Sequence, residues 1–151
     1  MIIQIEPREA IYQNKRLTPV FIKMQSLITA LNRRYISDDL SNRINEHIIP
    51  VNLFSGSDRD LMKIIVKEHG SIVQLVEKEL GLVPRKHYAN QWTALGMCVF
   101  GLPLGLVFSA FLDNYAFLSI GLPIGLAIGA GVGTRMDKKA ESEGRQLDCD
   151  A

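Results

Sequence analysis

Hydrophobic and polar positions divide the chain into two parts. Between residues 91 and 134 the only charged side chain is Asp113, whereas the flanking regions mix charged and apolar residues throughout. The charge-poor segment holds two apolar runs, 93–112 and 115–134, separated by Asp113 and Asn114. At 1.5 Å per residue, a helix over either run covers about 30 Å, the thickness of a bilayer's hydrocarbon core. We therefore predict two transmembrane helices joined by a turn at Asp113 and Asn114.

The alternative is a pair of central helices in a soluble protein. Residues 1–90 would then have to cover both apolar runs on all sides, and that region is rather polar. Membrane insertion is the interpretation that we favour.

Residues 1–90 show the spacing of amphipathic helices. Apolar residues recur three or four positions apart after Thr18, Ser37 and Ser57, and Ser and Thr are typical helix N-caps. We expect the first helix to run to about Tyr35, the second to end at Pro50, and the third to run to Leu80, with a possible break at Gly70. The opening residues IIQI are compatible with a short strand.

These patterns predict an all-α protein in three parts. A cytoplasmic α-helical domain covers residues 1–90, the transmembrane hairpin covers 91–134, and a charged cytoplasmic tail covers 135–151. The second transmembrane helix is expected to continue into the tail and to fray after Gly144.

Charge at the ends of the two runs predicts orientation. Arg85 and Lys86 precede the first run, and a second basic group follows the other run. This second group consists of Arg135, Lys138 and Lys139. Because positive flanks stay on the cytoplasmic side, both termini should be cytoplasmic and the turn should lie outside. The opening residues do not resemble a cleavable signal peptide. Trp92 and Tyr115 are expected at the two membrane interfaces, where amphipathic rings are enriched.

Small residues recur every four positions in both runs. They are Gly101, Gly105 and Ser109 in the first run and Gly121, Gly125, Gly129 and Gly133 in the second. Small residues at this spacing let helix backbones approach closely in lipid, where apolar burial gives little driving force. The ridges are therefore predicted to be helix-packing surfaces. The sequence leaves open whether they pack inside the hairpin, with leucines of one helix entering glycine notches of the other, or against a second protomer.

Pro103 and Pro123 occupy equivalent places in the repeated phrase GLP[LI]GL. Each lacks the amide that would bond the carbonyl four residues earlier, so each is expected to bend its helix. The bend is either a fixed feature of packing or a hinge.

Composition gives no candidate chemistry. The net charge of +1 offers no reason to expect nucleic-acid binding. Cys98 and Cys149 belong to no ligand or disulfide pattern. His47 and His69 each follow a glutamate, but no catalytic or metal-binding motif surrounds them. We expect no catalytic residues, no metal and no cofactor.

The segment from Glu79 to Asp148 resembles small bacterial two-transmembrane proteins that are described as glycine-zipper-like. The residues that carry this resemblance are Gly101, Pro103, Gly105, Gly121, Pro123, Gly125, Gly129, Gly133, Asp137, Lys138 and Lys139. The resemblance implies a bacterial inner-membrane location and no known reaction.

The function predicted from these observations is that of a non-enzymatic integral membrane protein. Its hairpin anchors and oligomerises a cytoplasmic helical domain that engages a protein partner, so the expected partners are the lipid bilayer, further copies of the chain and a cytoplasmic protein. The alternative is a pore-forming or membrane-disrupting effector built from several hairpins, which would require polar residues along its lumen.

Overall fold

A computed structural model describes residues 1–150, with residues 9, 10, 117 and 150 described by their backbone alone. The described chain is 75% helical and adds one two-stranded sheet, in agreement with the predicted all-α class. It divides into two compact units. Unit 1 comprises residues 1–84 and 147–150, and unit 2 comprises residues 85–146.

Unit 1 is built on four helices. They are α1 (Glu9–Gln13), α2 (Leu17–Asn32), α3 (Asp38–Leu53) and α4 (Asp58–Leu80). The apolar residues at three- and four-residue spacing form one core, with Met24, Ile44 and Ile65 fully buried. The predicted caps of two helices are present: the Ser37 side chain accepts from the Leu40 amide, and that of Ser57 accepts from the Asp60 amide.

The beginning and end of α2 differ from the prediction. Asn14 binds the main chain at the start of α2, its Oδ1 accepting from the amide of Arg16 at 3.0 Å and from that of Leu17 at 3.4 Å. The Thr18 hydroxyl instead donates to the carbonyl of Ile11, so this threonine lies inside the helix. The helix ends at Asn32, before the predicted end at Tyr35.

Two predicted helix breaks in unit 1 are wrong. Pro50 lies inside α3, which continues to Leu53, so the proline occupies the last turn without ending it. Gly70 lies in the interior of α4, and the Ser71 hydroxyl donates to the carbonyl of Lys67 within the same helix. The helix ends at Gly81, whose φ of 65° gives the left-handed conformation that glycine adopts readily.

Both ends of the chain contribute to unit 1 in ways that the pattern did not predict. The opening residues form no strand but extend along α3, with Ile2 and Ile5 buried. The chain does not fray after Gly144, because β2 (Gln146–Asp150) pairs with β1 (Val83–Arg85). Leu147 and Cys149 of β2 belong to the core, so the description of residues 135–151 as a charged tail does not hold at these two positions.

Unit 2 is an antiparallel helical hairpin. The first helix, His87–Phe111, consists of α5 (His87–Gly96), a π-helical turn (Met97–Gly101) and α6 (Leu102–Phe111). After the turn, a 3₁₀ segment (Tyr115–Phe117) leads into α7 (Leu118–Ser142). Both helices have 25 residues and are long and apolar enough to cross a membrane.

Candidate functional site: the glycine-lined hairpin

The buried positions of the hairpin are mostly glycine. Those at which the two helices contact each other, here called the seam, recur every four residues in α7 and end in a carboxylate, and in the first helix they are three glycines and a serine. The seam residues are Gly121, Gly125, Gly129, Gly133 and Asp137 in α7, and Gly96, Gly101, Gly105 and Ser109 in the first helix, while His87 and Ala140 are further buried residues of the two helices. The larger apolar side chains of both helices point mainly away from this seam.

The two helices approach so closely that a Cβ atom has no room at six of the seven seam glycines, and at Gly101 it would be a tight contact. A Cβ on Gly133 would lie 2.5 Å from the Cα of Ala89, and one on Gly105 would lie 2.6 Å from the carbonyl oxygen of Leu118. Real Cβ atoms essentially never come within 3.0 Å of another heavy atom. Gly131 lies on the same helix but has nothing within 4 Å of its Cβ position, so the restriction belongs to the seam alone.

Backbone meets backbone across the seam. A Cβ on Gly96 would lie 2.5 Å from the carbonyl oxygen of Gly125, and one on Gly101 would lie 3.2 Å from that of Gly121. Leu126 of α7 is 42% exposed. The alternative in which leucine side chains enter glycine notches is therefore wrong for this geometry, since the nearest atoms across the seam at these glycines are backbone atoms.

The π-helical turn keeps the small residues of the first helix on one face. Gly96 and Gly101 are five residues apart, and in an α-helix this spacing would rotate them by about 140° from each other. A π turn has bonds from residue i to i+5, and here the Leu102 amide donates to the carbonyl of Met97. The extra residue brings Gly101 close to the face of Gly96, so that both glycines contact α7.

The two prolines have different surroundings. Pro103 lies in the first turn of α6, directly after the π turn, whereas Pro123 lies inside α7, which continues through it. Of the two predicted bends, only the one at Pro103 therefore coincides with a change of hydrogen-bonding pattern, from π-helical to α-helical. A hinge role for either proline stays a prediction.

Asp137 caps the opposite helix of the hairpin. Its Oδ1 accepts from the Tyr88 amide at 3.0 Å, and its Oδ2 accepts from the Ala89 amide at 2.9 Å. These amides lie in the first turn of α5, where no intrahelical acceptor exists, and the N-cap residue Lys86 supplies no side-chain bond. The 7% exposed carboxylate also lies near the positive end of the α5 dipole. It therefore fixes the register of the two helices at their open end.

The turn at the other end contains both predicted residues. Asp113 adopts a φ of 47°, a left-handed conformation that aspartate tolerates better than most residues. Asn114 caps the 3₁₀ segment, its Oδ1 accepting from the Ala116 amide at 2.9 Å. Tyr115 follows at 90% exposure.

The remaining predicted interface residues lie at the open end. Arg135, Lys138 and Lys139 are exposed, and Lys139 forms an i,i+4 ion pair with Glu143 at 3.9 Å. Trp92 is half-buried. Because residues 88 and 89 contact Asp137, the basic residues before the first helix and those within the end of α7 share one end of the hairpin.

Titratable groups in unit 1 form close contacts that the sequence did not predict, among them a histidine–glutamate pair. His47 Nδ1 and Glu68 Oε2 are 2.7 Å apart and link α3 to α4, with Lys67 Nζ 3.5 Å from the other carboxylate oxygen. His69 is largely buried, and burial, followed by the charge of Lys23, lowers its pKa from 6.5. No metal-binding group of three or more His, Cys, Asp or Glu side chains occurs within residues 1–150.

Sequence reasoning missed two members of the seam, Gly96 and Asp137. Asp137 continues the four-residue series of α7 beyond Gly133, so its position was a usable signal. Gly96 had no such signal, because its five-residue separation from Gly101 matches the seam only when the π turn is known.

The comparisons leave this hairpin to be interpreted from its own geometry. The resemblance to glycine-zipper-like membrane proteins stays an expectation. Comparison of the chain with protein-family models, curated proteins and solved structures gave no match.

Proposed function

We propose that the protein is a non-enzymatic integral membrane protein of the bacterial cytoplasmic membrane. Its hairpin anchors unit 1 at the cytoplasmic surface, where this helical domain assembles with further copies and engages a protein partner. Both termini are cytoplasmic in this proposal, and the lipid bilayer is the first partner.

The exposed apolar surface of the hairpin is the observation that carries the proposal. Only 22% of the most apolar window of each long helix is buried, whereas the core helices of a soluble protein are mostly buried. Leu106 and Val107 on the first helix are 62% and 56% exposed, and Leu126 on α7 is 42% exposed. Lipid would cover these side chains, since leaving such a continuous apolar surface in water is unfavourable.

The ends of the hairpin support the proposed orientation. Basic residues collect at the open end, while Asp113 is the only charged residue of the turn. The positive-inside rule then places the open end in the cytoplasm. All backbone amides of the first α5 turn need acceptors near the headgroups, and the Asp137 carboxylate supplies two of them.

The pore alternative receives less support from this geometry. A pore built on glycine ridges needs those ridges to face other protomers, but here a Cβ at Gly96, Gly105 or Gly133 would meet the backbone of the same hairpin. Ser109 is buried in the seam, and the Ser119 hydroxyl donates to the carbonyl of Ala116. We therefore retain the anchor as the proposed function.

Site-directed labelling tests the proposal. In a Cys98→Ser, Cys149→Ser background, single cysteines at Asn114 and Lys138 are treated in intact cells with a thiol reagent that cannot cross the membrane. We expect labelling of Asn114→Cys in intact cells and of Lys138→Cys only after lysis, together with retention of the protein in carbonate-washed membranes. Extraction by carbonate, or the reverse labelling pattern, would contradict the anchor or its orientation.

A further inference from the structure

Residues 1–8 lie extended along α3 and are held by three asparagine side chains. Asn32, in the last turn of α2, accepts from the Ile2 amide through Oδ1 and donates to the Ile2 carbonyl through Nδ2, both at 3.3 Å. Asn45 and Asn52 of α3 each bind one carbonyl and one amide of the same segment. The extended segment thus receives from side chains the hydrogen bonds that a neighbouring strand would otherwise supply.

The two asparagines of α3 repeat one binding pattern. Asn45 donates to the Met1 carbonyl at 3.3 Å and accepts from the Ile3 amide at 2.8 Å. Asn52 donates to the Gln4 carbonyl and accepts from the Glu6 amide, both at 3.1 Å. Each asparagine therefore binds the carbonyl of one residue and the amide of the residue two positions later, and the pattern advances by three residues.

Helix geometry explains this repeat. Seven residues of α3 separate the asparagines, which places them on one face about 10.5 Å apart. Three residues of polyproline II advance by about 9.3 Å, and three fully extended residues by about 10 Å. Two helix turns therefore match one three-residue repeat of an extended peptide.

The side chains of the segment follow the same three-residue period. Ile2 and Ile5 are each 3% exposed and belong to the core, whereas the intervening Ile3 is 43% exposed. Three residues after Ile5, the Arg8 guanidinium donates to the carbonyl of Asn52 at 2.5 Å and to those of Val51 and Phe54 at the end of α3. A cation at this negative end of the helix dipole is favourable.

This arrangement has the parts of a peptide-binding groove. Main-chain hydrogen bonds give affinity for any extended peptide, and side-chain pockets at fixed spacing give specificity. The surface of α2 and α3 that contains Asn32, Asn45 and Asn52, here called the asparagine groove, would select an aliphatic residue, a second one three positions later, and an arginine three positions after that.

We propose that the asparagine groove binds residues 1–8 of a second copy of the chain, in exchange for the chain's own segment. The second copy carries the required Ile2, Ile5 and Arg8, so every hydrogen bond of the intrachain state can form again between chains, and such an exchange costs little. The glycine rows pack inside the hairpin, which leaves assembly to another surface. Anchoring on one membrane raises the local concentration of copies. The inference rests on the proposed membrane anchor and assembly.

Photo-crosslinking of the full chain tests the exchange. A copy carrying p-benzoylphenylalanine in place of the half-exposed Ile3 is co-expressed with a probe-free copy that carries a different tag. After irradiation of membranes, we expect a product that carries both tags, has about twice the chain's mass, and contains a crosslink from position 3 to α3. The mass of the unirradiated complex in nanodiscs reports assembly independently.

Variants of the probe-free copy show whether the asparagine groove makes the contact. The probe-free copy also carries Ile5→Ser, so that its own segment competes poorly for the groove that the probe segment vacates. In that background, Asn45→Leu with Asn52→Leu should lower the two-tag product at least about tenfold, because the probe segment then keeps its own intact groove and the lost side-chain contacts cost more than about 1.4 kcal/mol. Asn42→Leu, on the same helix, should leave the yield unchanged. The Ile5→Ser probe-free copy without the groove substitutions is the reference for this comparison.

The outcomes distinguish this inference from the proposed function. Crosslinks only within one chain, in a complex whose mass shows several copies, would overturn the exchange and leave the proposed assembly standing. A monomeric mass with intrachain crosslinks alone would overturn both the exchange and the assembly. Crosslinks from position 3 to an unrelated protein, or a two-tag product that the groove variants do not reduce, would overturn the second copy's segment as the occupant.

Discussion

Replacement of Gly133 by alanine tests the close contact of the hairpin most directly. The added Cβ would lie 2.5 Å from both the Cα of Ala89 and the carbonyl oxygen of Tyr88, which is 0.5 Å inside the 3.0 Å limit. Both neighbours are backbone atoms, so no side-chain rotation relieves the overlap and the helices must separate locally. Overpacking of this kind costs about 1 to 3 kcal/mol.

Gly131→Ala is the matched control for this substitution. Both positions lie inside α7, so both variants gain the same helix propensity, about 1 kcal/mol. Gly131 has nothing within 4 Å of its Cβ position, so its variant has no opposing contact cost. The difference in unfolding free energy between the two variants therefore isolates the seam, and we expect Gly133→Ala to be less stable by about 1 to 3 kcal/mol.

The measurement is an SDS titration in mixed micelles, followed by helicity and by the fluorescence of Trp92, the single tryptophan. Trp92 is close to the affected contact, because it lies one helical turn from Ala89 on α5. Equal stability of the two alanine variants would refute the claim that the glycine rows are required by backbone approach. Greater loss in Gly131→Ala would show that the outer face of α7, rather than the seam, makes the important contact.

Three further substitutions test other contacts. Asp137→Ala should lower hairpin stability by about 0.5 to 2 kcal/mol in the same titration, because two α5 amides lose their acceptor. The control Lys138→Ala should change the stability little, and equal losses in the two variants would contradict the capping role of Asp137. Because burial lowers the pKa of His69, the unfolded state binds more protons than the folded state below about pH 6.5, so unit 1 should lose stability as the pH falls from there through the lowered pKa. Thermal unfolding across pH 5 to 8 should show a weaker pH dependence in His69→Gln, and an unchanged slope would refute this role. Glu68→Ala should destabilise unit 1 by about 1 to 3 kcal/mol in urea unfolding, because a buried carboxylate that binds His47 of α3 is lost. The control Glu46→Ala changes an exposed carboxylate and should have a much smaller effect. Similar losses in the two variants would contradict a stabilising contact between Glu68 and His47.

Local rules predicted most of the helices of unit 1. Ser37 and Ser57 mark helix starts because a serine side chain satisfies an amide within its own first turn. The rules failed where tertiary packing decides. Pro50 in a last turn removes one internal bond, a cost that core packing offsets. Gly70 lowers helix propensity without creating a break.

The ends of the chain were harder to predict because their partners are distant in sequence. Nothing in IIQI indicates Asn45 or Asn52, which hold the segment in an extended form without a neighbouring strand. The short run at Leu147 is too brief for a periodicity argument, and its strand is defined only by pairing with β1.

The seam combines a predictable helix with an unpredictable one. In α7 the four-residue series from Gly121 to Asp137 lies in an ordinary α-helix, so the sequence spacing alone predicts that these residues share one face. The last residue of the series, Asp137, contacts the other helix through hydrogen bonds. In the first helix the series is interrupted between Gly96 and Gly101, and only a π turn restores it. A π turn adds one residue to a helical turn and is rare in proteins. Here it allows both Gly96 and Gly101 to contact α7. The hairpin therefore matches a regular ridge on one helix by local irregularity in the other, and this match accounts for glycine, rather than leucine, at the contact positions of α7 from Gly121 to Gly133.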